Sequence, residues 1–324
     1  MKQLENLKWS PKWVSHLGCI KGCLDYLGLD ISEAWLFGGT GHAFVINVHD
    51  VVCPSGPTAW RTVRLFELAP NLGYKIEGTF GFKDNPGFAE RQKEAWTFVQ
   101  EAIDRGIPCY GWELDVPEYY VIYGYHEGDS ETPAGYYYSG PMCDDGAGPK
   151  PWQEVGDTGI GVLEMYSVEP GQPADDAKTV REALRFALKH AENPSEWIFE
   201  RYRAGLAGYD RWIGALEAGK AGGHGMAYNA AVWSECRAYA VAFLREARGR
   251  LDGTLEPLFD EAIAHYQAVS NHLAQVAKLY PFKPPFAELV AVDAQSQAAV
   301  EALRMARQAE AAGLVALGKI VQAL

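Results

Sequence analysis

The pattern of apolar and polar positions changes near residue 170. Before that point, short apolar and aromatic runs are interrupted by Gly and Pro, which is typical of strands and turns. The stretch VEPGQPADDA has the composition of a linker, and after it apolar residues recur at the spacing of amphipathic helices. The pattern therefore predicts an N-terminal domain of residues 1–170 and an all-helical domain of residues 171–324.

Periodicity and turn residues also predict the individual elements. Two segments of the first half, 13–27 and 86–105, end at glycines and predict helices, with Ser15 as the N-cap of the first. Strands are predicted at 45–52, 107–114, 119–125, 135–138 and 162–168. Helices of the second half are predicted at 176–191, 194–218, 225–249, 254–279 and 286–322. This order of elements predicts an α+β fold with an antiparallel sheet.

Composition narrows the class of protein. The chain has 324 residues, of which 48% are hydrophobic and 22% charged, so it can bury a full core. Its net charge of −13 disfavours nucleic acid, and it lacks the basic stripe of a membrane-surface protein. Because no export signal or membrane-spanning run is recognisable, we expect a cytoplasmic protein with reduced cysteines.

The segment HLGCIKGC is the first candidate for chemistry. His16, Cys19 and Cys23 recur on one face of the predicted helix. The helix dipole and free N–H groups stabilise a thiolate near a helix start, so Cys19 is a candidate nucleophile. The alternative is that both cysteines are small buried core residues. A zinc site of these three residues would lack a fourth ligand, so we expect no metal and no cofactor.

The segment GGTGHAF, residues 38–44, is the second candidate. It has neither the Lys-Ser/Thr ending of a P-loop nor the dinucleotide-binding fingerprint. The glycines around Thr40 would let the backbone approach either a ligand or the first helix closely. His42, at the start of a predicted strand, is either an acid–base group or a hydrogen-bonded structural histidine.

The segment GWELDVPEYYVIYGYHEG is the third candidate, because it places carboxylates beside large rings. Burial of Glu118 against rings such as Trp112 and Tyr120 would raise the pKa of its carboxyl and suit it to acid–base work. The alternative is a surface carboxylate at the edge of a strand.

Several of these motifs resemble those of a known family. The runs LDYLGLDISEAWLFGGTGHAF, GIPCYGW, PEYYVIYGYHEG and GYYYSGP follow one another in residues 13–168. This order resembles the N-terminal domain of the butirosin-biosynthesis acyltransferase family and, more distantly, bacteriocin-processing papain-like peptidases. The later run AGLAGYDRWIGAL resembles the helical companion domain of that family.

The resemblance implies a papain-like fold and site. In the family, a helix-start cysteine is the nucleophile, a histidine at a strand start is the base, and an acid on the next strand orients the histidine. Counted from the matching motifs, these positions fall on Ser15, on Glu118 and on the Ser139-Gly140-Pro141 segment, so the standard triad is not intact.

Three functions remain open on the sequence alone. The first is a cysteine-dependent acyltransferase or hydrolase acting on an amide, ester or thioester, with catalytic residues Cys19, His42 and Glu118. The second is a catalytically degenerate protein that binds a small molecule or peptide, and the third is an interaction or structural protein that dimerises through its helical domain. Expected partners are a small molecule or peptide, including a carrier-bound acyl group, and a second copy in a homodimer. The predicted substrate-binding residues are Ser15, His16, Thr40, Trp112, Tyr120 and Ser139.

Overall fold

The computed structural model describes residues 1–324 and has an α+β fold, which confirms the predicted fold class. The α-helices are α1 (Ser15–Tyr26), α2 (Glu33–Gly39), α3 (Val63–Leu68), α4 (Phe88–Asp104), α5 (Asp176–Ala191), α6 (Gly205–Glu217), α7 (Gly223–Arg250), α8 (Glu256–Leu279) and α9 (Ala294–Ala323). The strands are β1 (Lys2–Gln3), β2 (Asn47–His49), β3 (Tyr74–Phe82), β4 (Cys109–Trp112), β5 (Tyr119–His126), β6 (Gly135–Gly140), β7 (Cys143–Pro151), β8 (Val162–Pro170) and β9 (Tyr202–Ala204). None of these helices combines the length and the apolar composition that crossing a membrane requires.

Seven strands form one antiparallel sheet in the order β3-β8-β4-β5-β6-β7, with β1 paired to β5. Trp112 of β4 pairs with Tyr119 of β5, and Val121 of β5 pairs with Ser139 of β6. Because neighbouring antiparallel strands run in opposite directions, the start of β5 lies beside the ends of β4 and β6. This end of the sheet therefore gathers residues that are far apart in the sequence.

The chain divides into two compact units. The first comprises residues 1–31 and 73–172 and contains the seven-stranded sheet with α1 and α4. The second comprises residues 32–72 and 173–324 and contains the remaining helices with the β2–β9 pair. Residues 32–72 therefore belong to the helical unit, although they precede the change of composition near residue 170.

In the first unit, α1 packs against β4, β5 and β8. Leu17, Ile20 and Leu24 of α1 are fully buried, and each contributes about 1.5–3 kcal/mol relative to an exposed position. Cys19 and Cys23 lie in the same core and are also fully buried. The three- and four-residue spacing of these positions explains why the segment folds as a helix on a sheet.

In the second unit, a buried ion pair connects the helices. Arg237 of α7 forms two hydrogen bonds with the carboxylate of Glu310 on α9, at 2.8 and 3.0 Å. The Arg237 Nη1 atom also donates to the backbone carbonyls of Ala43 and Val45, at 2.8 and 2.9 Å. One guanidinium group therefore holds the segment before β2 against α7 and α9.

The GGTGHAF segment serves packing within the second unit. Its first two glycines, Gly38 and Gly39, are the last residues of α2. The WLFGG run is therefore helical, although its apolar character suggests a strand. A Cβ on Gly38 would collide with the ring of Phe243 in α7. Gly41 has a φ of 73°, a left-handed conformation that glycine adopts without steric cost. The close approach made possible here is to α7, and not to the first helix.

Two predicted elements of the first 60 residues differ in the structure. Val14 and not Ser15 is the N-cap of α1, so Ser15 is the first helical residue and its side chain does not cap the helix. The strand predicted at 45–52 is confined to Asn47–His49 and follows a 3-10 turn at His42–Phe44. His42 therefore lies in a turn instead of at a strand start.

Two helices of the second half are shorter than predicted. The segment predicted as a helix at 194–218 begins with a turn and with β9, because Asn193 has a φ of 59° and β9 pairs with β2. The last helix begins at Ala294 and not near residue 286. At this start, Asp293 and Ser296 form a capping box. Strand β3 was not predicted, since its sequence YKIEGTFGF mixes charged residues and glycines.

Candidate functional site

The start of α1 meets the start of β5 at one hydrogen-bonded pair. The Ser15 hydroxyl donates to the Glu118 carboxylate and accepts a hydrogen bond from the Tyr119 backbone N–H at 3.1 Å. Ser15 is only 3% exposed, whereas Glu118 is half-buried. The two positions that the resemblance assigns to a nucleophile and a base are thus in direct contact.

Aromatic side chains pack around Tyr119, the residue that follows Glu118. The ring of His16 stacks on Tyr119 with 4.1 Å between centroids, and its Nε2 atom lies 3.0 Å from the Tyr110 hydroxyl. Trp112 contacts Tyr119 edge-on at 5.0 Å. His16 is therefore held by two tyrosines in a buried position.

Glu164 on β8 belongs to the same cluster and was missed in the sequence. The Tyr119 hydroxyl donates to its carboxylate at 2.5 Å, and the Tyr166 hydroxyl also hydrogen-bonds to it. Burial raises the pKa of Glu164 to about 6, although both tyrosine hydrogen bonds lower it. The sequence contains a signal for the burial of Glu164. Strand alternation places it on one face with Val162, Tyr166 and Val168.

Cys19 lies one helical turn beyond Ser15 and does not reach the surface. It is fully buried, and burial raises the pKa of its thiol well above the usual value, with further contributions from Cys23 and Glu118. A reactive cysteine needs partial exposure and a lowered thiol pKa. The environment of Cys19 is that of the buried core alternative and does not support the nucleophile hypothesis.

His42 and Thr40 belong to the second unit, whereas Cys19 and Glu118 belong to the first. His42 is buried, its Nδ1 atom lies 3.6 Å from the Cys236 sulfur, and burial lowers the pKa of its imidazole to about 4. The Thr40 hydroxyl donates to the Leu36 carbonyl at 2.7 Å. Both side chains have partners in their own unit and are accounted for by its internal packing.

The other predicted binding residues lie at the same end of the sheet as Glu118. The Tyr120 hydroxyl donates to the Pro141 carbonyl at 3.2 Å, so it braces the turn after β6. Trp112 Nε1 and Ser139 Oγ are buried and have no hydrogen-bond partner. Seven of the nine predicted site residues therefore lie in the first unit, namely Ser15, His16, Cys19, Trp112, Glu118, Tyr120 and Ser139.

A cavity of about 520 Å³ lies between residues 5–11 and the end of α1, but none of the predicted site residues lines it. No group of three or more His, Cys, Asp or Glu side chains has the arrangement of a metal site.

No protein-family model matches this chain, and no curated protein matches it.

Proposed function

We propose that this chain is a catalytically inactive papain-like protein that binds a small molecule or peptide carrying an amino group. The observation that carries the proposal is the hydrogen bond from the Ser15 hydroxyl to the Glu118 carboxylate. In this arrangement, serine replaces the nucleophilic cysteine and glutamate replaces the catalytic histidine of the family that the chain resembles.

The Ser15–Glu118 pair is poorly suited to covalent catalysis. Efficient general bases have a pKa near the working pH and can return the proton to a leaving group, which is why histidine predominates. A carboxylate has an ordinary pKa near 4, far below that of a serine hydroxyl, so it activates the hydroxyl weakly. The segment in the third position contributes Ser139, which cannot orient a base as a carboxylate does.

The same groups are suited to reversible binding. Glu118 is half-buried, so its carboxylate is accessible to a ligand while its charge is partly shielded from water. An ammonium group of a ligand can therefore form a charge-assisted hydrogen bond with the Glu118 carboxylate. Trp112 Nε1 and Ser139 Oγ lack hydrogen-bond partners at the same end of the sheet, but both atoms are buried.

The papain-like geometry can be tested by restoring the missing residues. We expect the double variant Ser15→Cys/Glu118→His to contain a thiolate–imidazolium pair that reacts with iodoacetamide at neutral pH at least about tenfold faster than Ser15→Cys alone. The wild-type protein should react at Ser15 with neither iodoacetamide nor a fluorophosphonate. Equal rates for the double and single variants, measured by mapping the labelled peptide, would falsify the assignment of these two positions.

The binding role is tested with primary amines of increasing size, such as glucosamine, spermidine and a dipeptide. We expect at least one to raise the melting temperature of the wild-type protein and to lose about tenfold in affinity in Glu118→Gln, because the amide lacks the charge. Glu131→Gln is the matched control, since it removes the same charge from an exposed loop of the same unit. Labelling of wild-type Ser15 by the fluorophosphonate would instead favour a hydrolase.

A further inference from the structure

A second groove lies entirely within the helical unit, apart from the Ser15–Glu118 site. It has a volume of about 460 Å³ and follows one face of α6. Four of its lining residues are small, namely Ala207, Gly214 and Ala215 of that helix and Ala218, which directly follows it. Small side chains there let a bound molecule approach the helix closely. The volume lies within the range of small-molecule sites, about 300–1,000 Å³.

The two carboxylates of the groove already have cationic partners. Asp50 accepts two hydrogen bonds from Arg201, at 3.0 and 3.2 Å, and His49 Nδ1 lies 3.0 Å from it. Asp210 accepts two hydrogen bonds from Arg307, at 2.6 and 2.9 Å. Neither Arg201 nor Arg307 lines the groove. Each of the two carboxylates in the groove is therefore hydrogen-bonded to an arginine that lies outside it.

The remaining charged residues of the groove are all cations. Arg203 donates only to the backbone carbonyls of Glu200 and Tyr202, at 2.9 and 2.6 Å. Arg211 is half-buried and interacts with the charge of Asp50, whose pKa it helps to lower, whereas Lys220 is exposed and forms no ion pair. Because the Asp50 carboxylate is hydrogen-bonded to Arg201, it compensates the charge of the half-buried Arg211 guanidinium only in part, and a bound anion would complete the compensation.

From this distribution of charge we infer that the groove binds the phosphate group of a small molecule. Three cations that form no hydrogen bond with a carboxylate favour a multiply charged anion, and a guanidinium matches the paired oxygens of a phosphate. The surrounding molecule has a net charge of −13, so local positive charge in this groove is not a general property of the surface. The inference concerns the second unit and is independent of the proposed function of the first.

Inorganic pyrophosphate is the probe, and isothermal titration calorimetry of the full chain at low ionic strength is the measurement. We expect wild-type protein to bind it and Arg211→Gln to lose about tenfold in affinity, because one charge-assisted contact is removed. Lys220→Gln changes an exposed residue that is expected to leave folding intact, and it should also weaken binding. Arg245→Gln is the matched control, because it removes the same charge from α7 of the same unit, outside the groove.

The outcomes separate a built site from general attraction of anions. Weaker binding in Arg211→Gln and Lys220→Gln, with unchanged binding in Arg245→Gln, supports the inference. Undetectable binding of pyrophosphate, an equal loss in Arg245→Gln, or equally tight binding of citrate overturns it. Comparison of glucose 6-phosphate with inorganic phosphate then distinguishes a site for an organic phosphate from one for the free ion.

Discussion

At the residue scale, the six cysteines differ mainly in burial. Cys53 and Cys143 are half-buried, whereas Cys19, Cys23, Cys109 and Cys236 are buried. A buried thiol reacts only when the protein opens locally, so its rate reflects the free energy of that opening. Burial also raises the pKa of Cys19, which reduces the reactive thiolate further.

We therefore expect iodoacetamide to modify Cys53 and Cys143 first and Cys19 at least about a hundredfold more slowly. Peptide mapping after timed labelling of the native protein measures these rates. Labelling in denaturing urea is the control, in which all six cysteines should react at similar rates. Modification of Cys19 as fast as Cys143 in the native protein would show that its thiol is accessible after all.

At the element scale, the contact of Arg237 with Glu310 connects α7 with α9. A buried charge that loses its partner costs about 3–5 kcal/mol, because the remaining ion is desolvated without compensation. We expect Glu310→Ala to lower the free energy of unfolding by about that amount, measured by urea denaturation. The hydroxyls of Tyr209 and Tyr266, at 3.1 and 3.4 Å from the carboxylate, would lose an acceptor as well.

The control for this prediction is Glu261→Ala. Glu261 of α8 pairs with Lys319 of α9 at 2.7 Å, but both side chains are exposed by more than a third. Exposed pairs contribute about 0–1 kcal/mol, so the control should change stability little. Similar losses in the two variants would mean that the buried pair does not stabilise the packing of α7 and α9.

At the scale of the whole molecule, buried titratable groups make stability depend on pH. Burial lowers the pKa of His42 to about 4 and that of His190 to about 3, below the ordinary value near 6.5. At acidic pH these two histidines bind protons in the unfolded chain but remain neutral in the folded chain. The stability that they contribute to the fold is therefore present above pH 6.5 and declines as the pH falls. Glu164 acts in the opposite sense: its raised pKa favours the fold at low pH, and this stability is lost as the pH rises through about 6.

The variant His190→Phe tests whether the lowered pKa of this histidine makes the protein less stable at acidic pH. His190 packs against the rings of Trp60, Phe186 and Trp197, and its Nε2 atom has no partner, so phenylalanine should be tolerated at pH 7. Between pH 7 and pH 4 we expect wild type to lose about 3 kcal/mol more stability than the variant, measured by urea denaturation. His272→Gln, which replaces a half-buried histidine of α8, is the control. An unchanged acid response in His190→Phe would exclude this histidine as a source.

Much of the fold could be predicted because helical periodicity is local. Helices α5, α7 and α8 lie close to their predicted ranges, since apolar spacing, glycines and prolines mark their faces and ends within a few residues. Strand β3 could not be predicted, because it forms by pairing with β8, which follows some 80 residues later in the sequence. The helix predicted from 194 failed for the same reason, since β9 pairs with β2.

For the candidate site, too, some features could be predicted from the sequence and others depend on the tertiary structure. The sequence by itself predicts, through its resemblance to a known family, that Ser15 and Glu118 fall at the nucleophile and base positions and that the third position lacks a carboxylate. Only the tertiary structure decided that Ser15 and Glu118, 103 residues apart, share a hydrogen bond, that Cys19 is sealed in a core, and that His42 belongs to the other unit. Residue types and local spacing are properties of the chain, but burial and long-range contacts depend on which distant elements pack together.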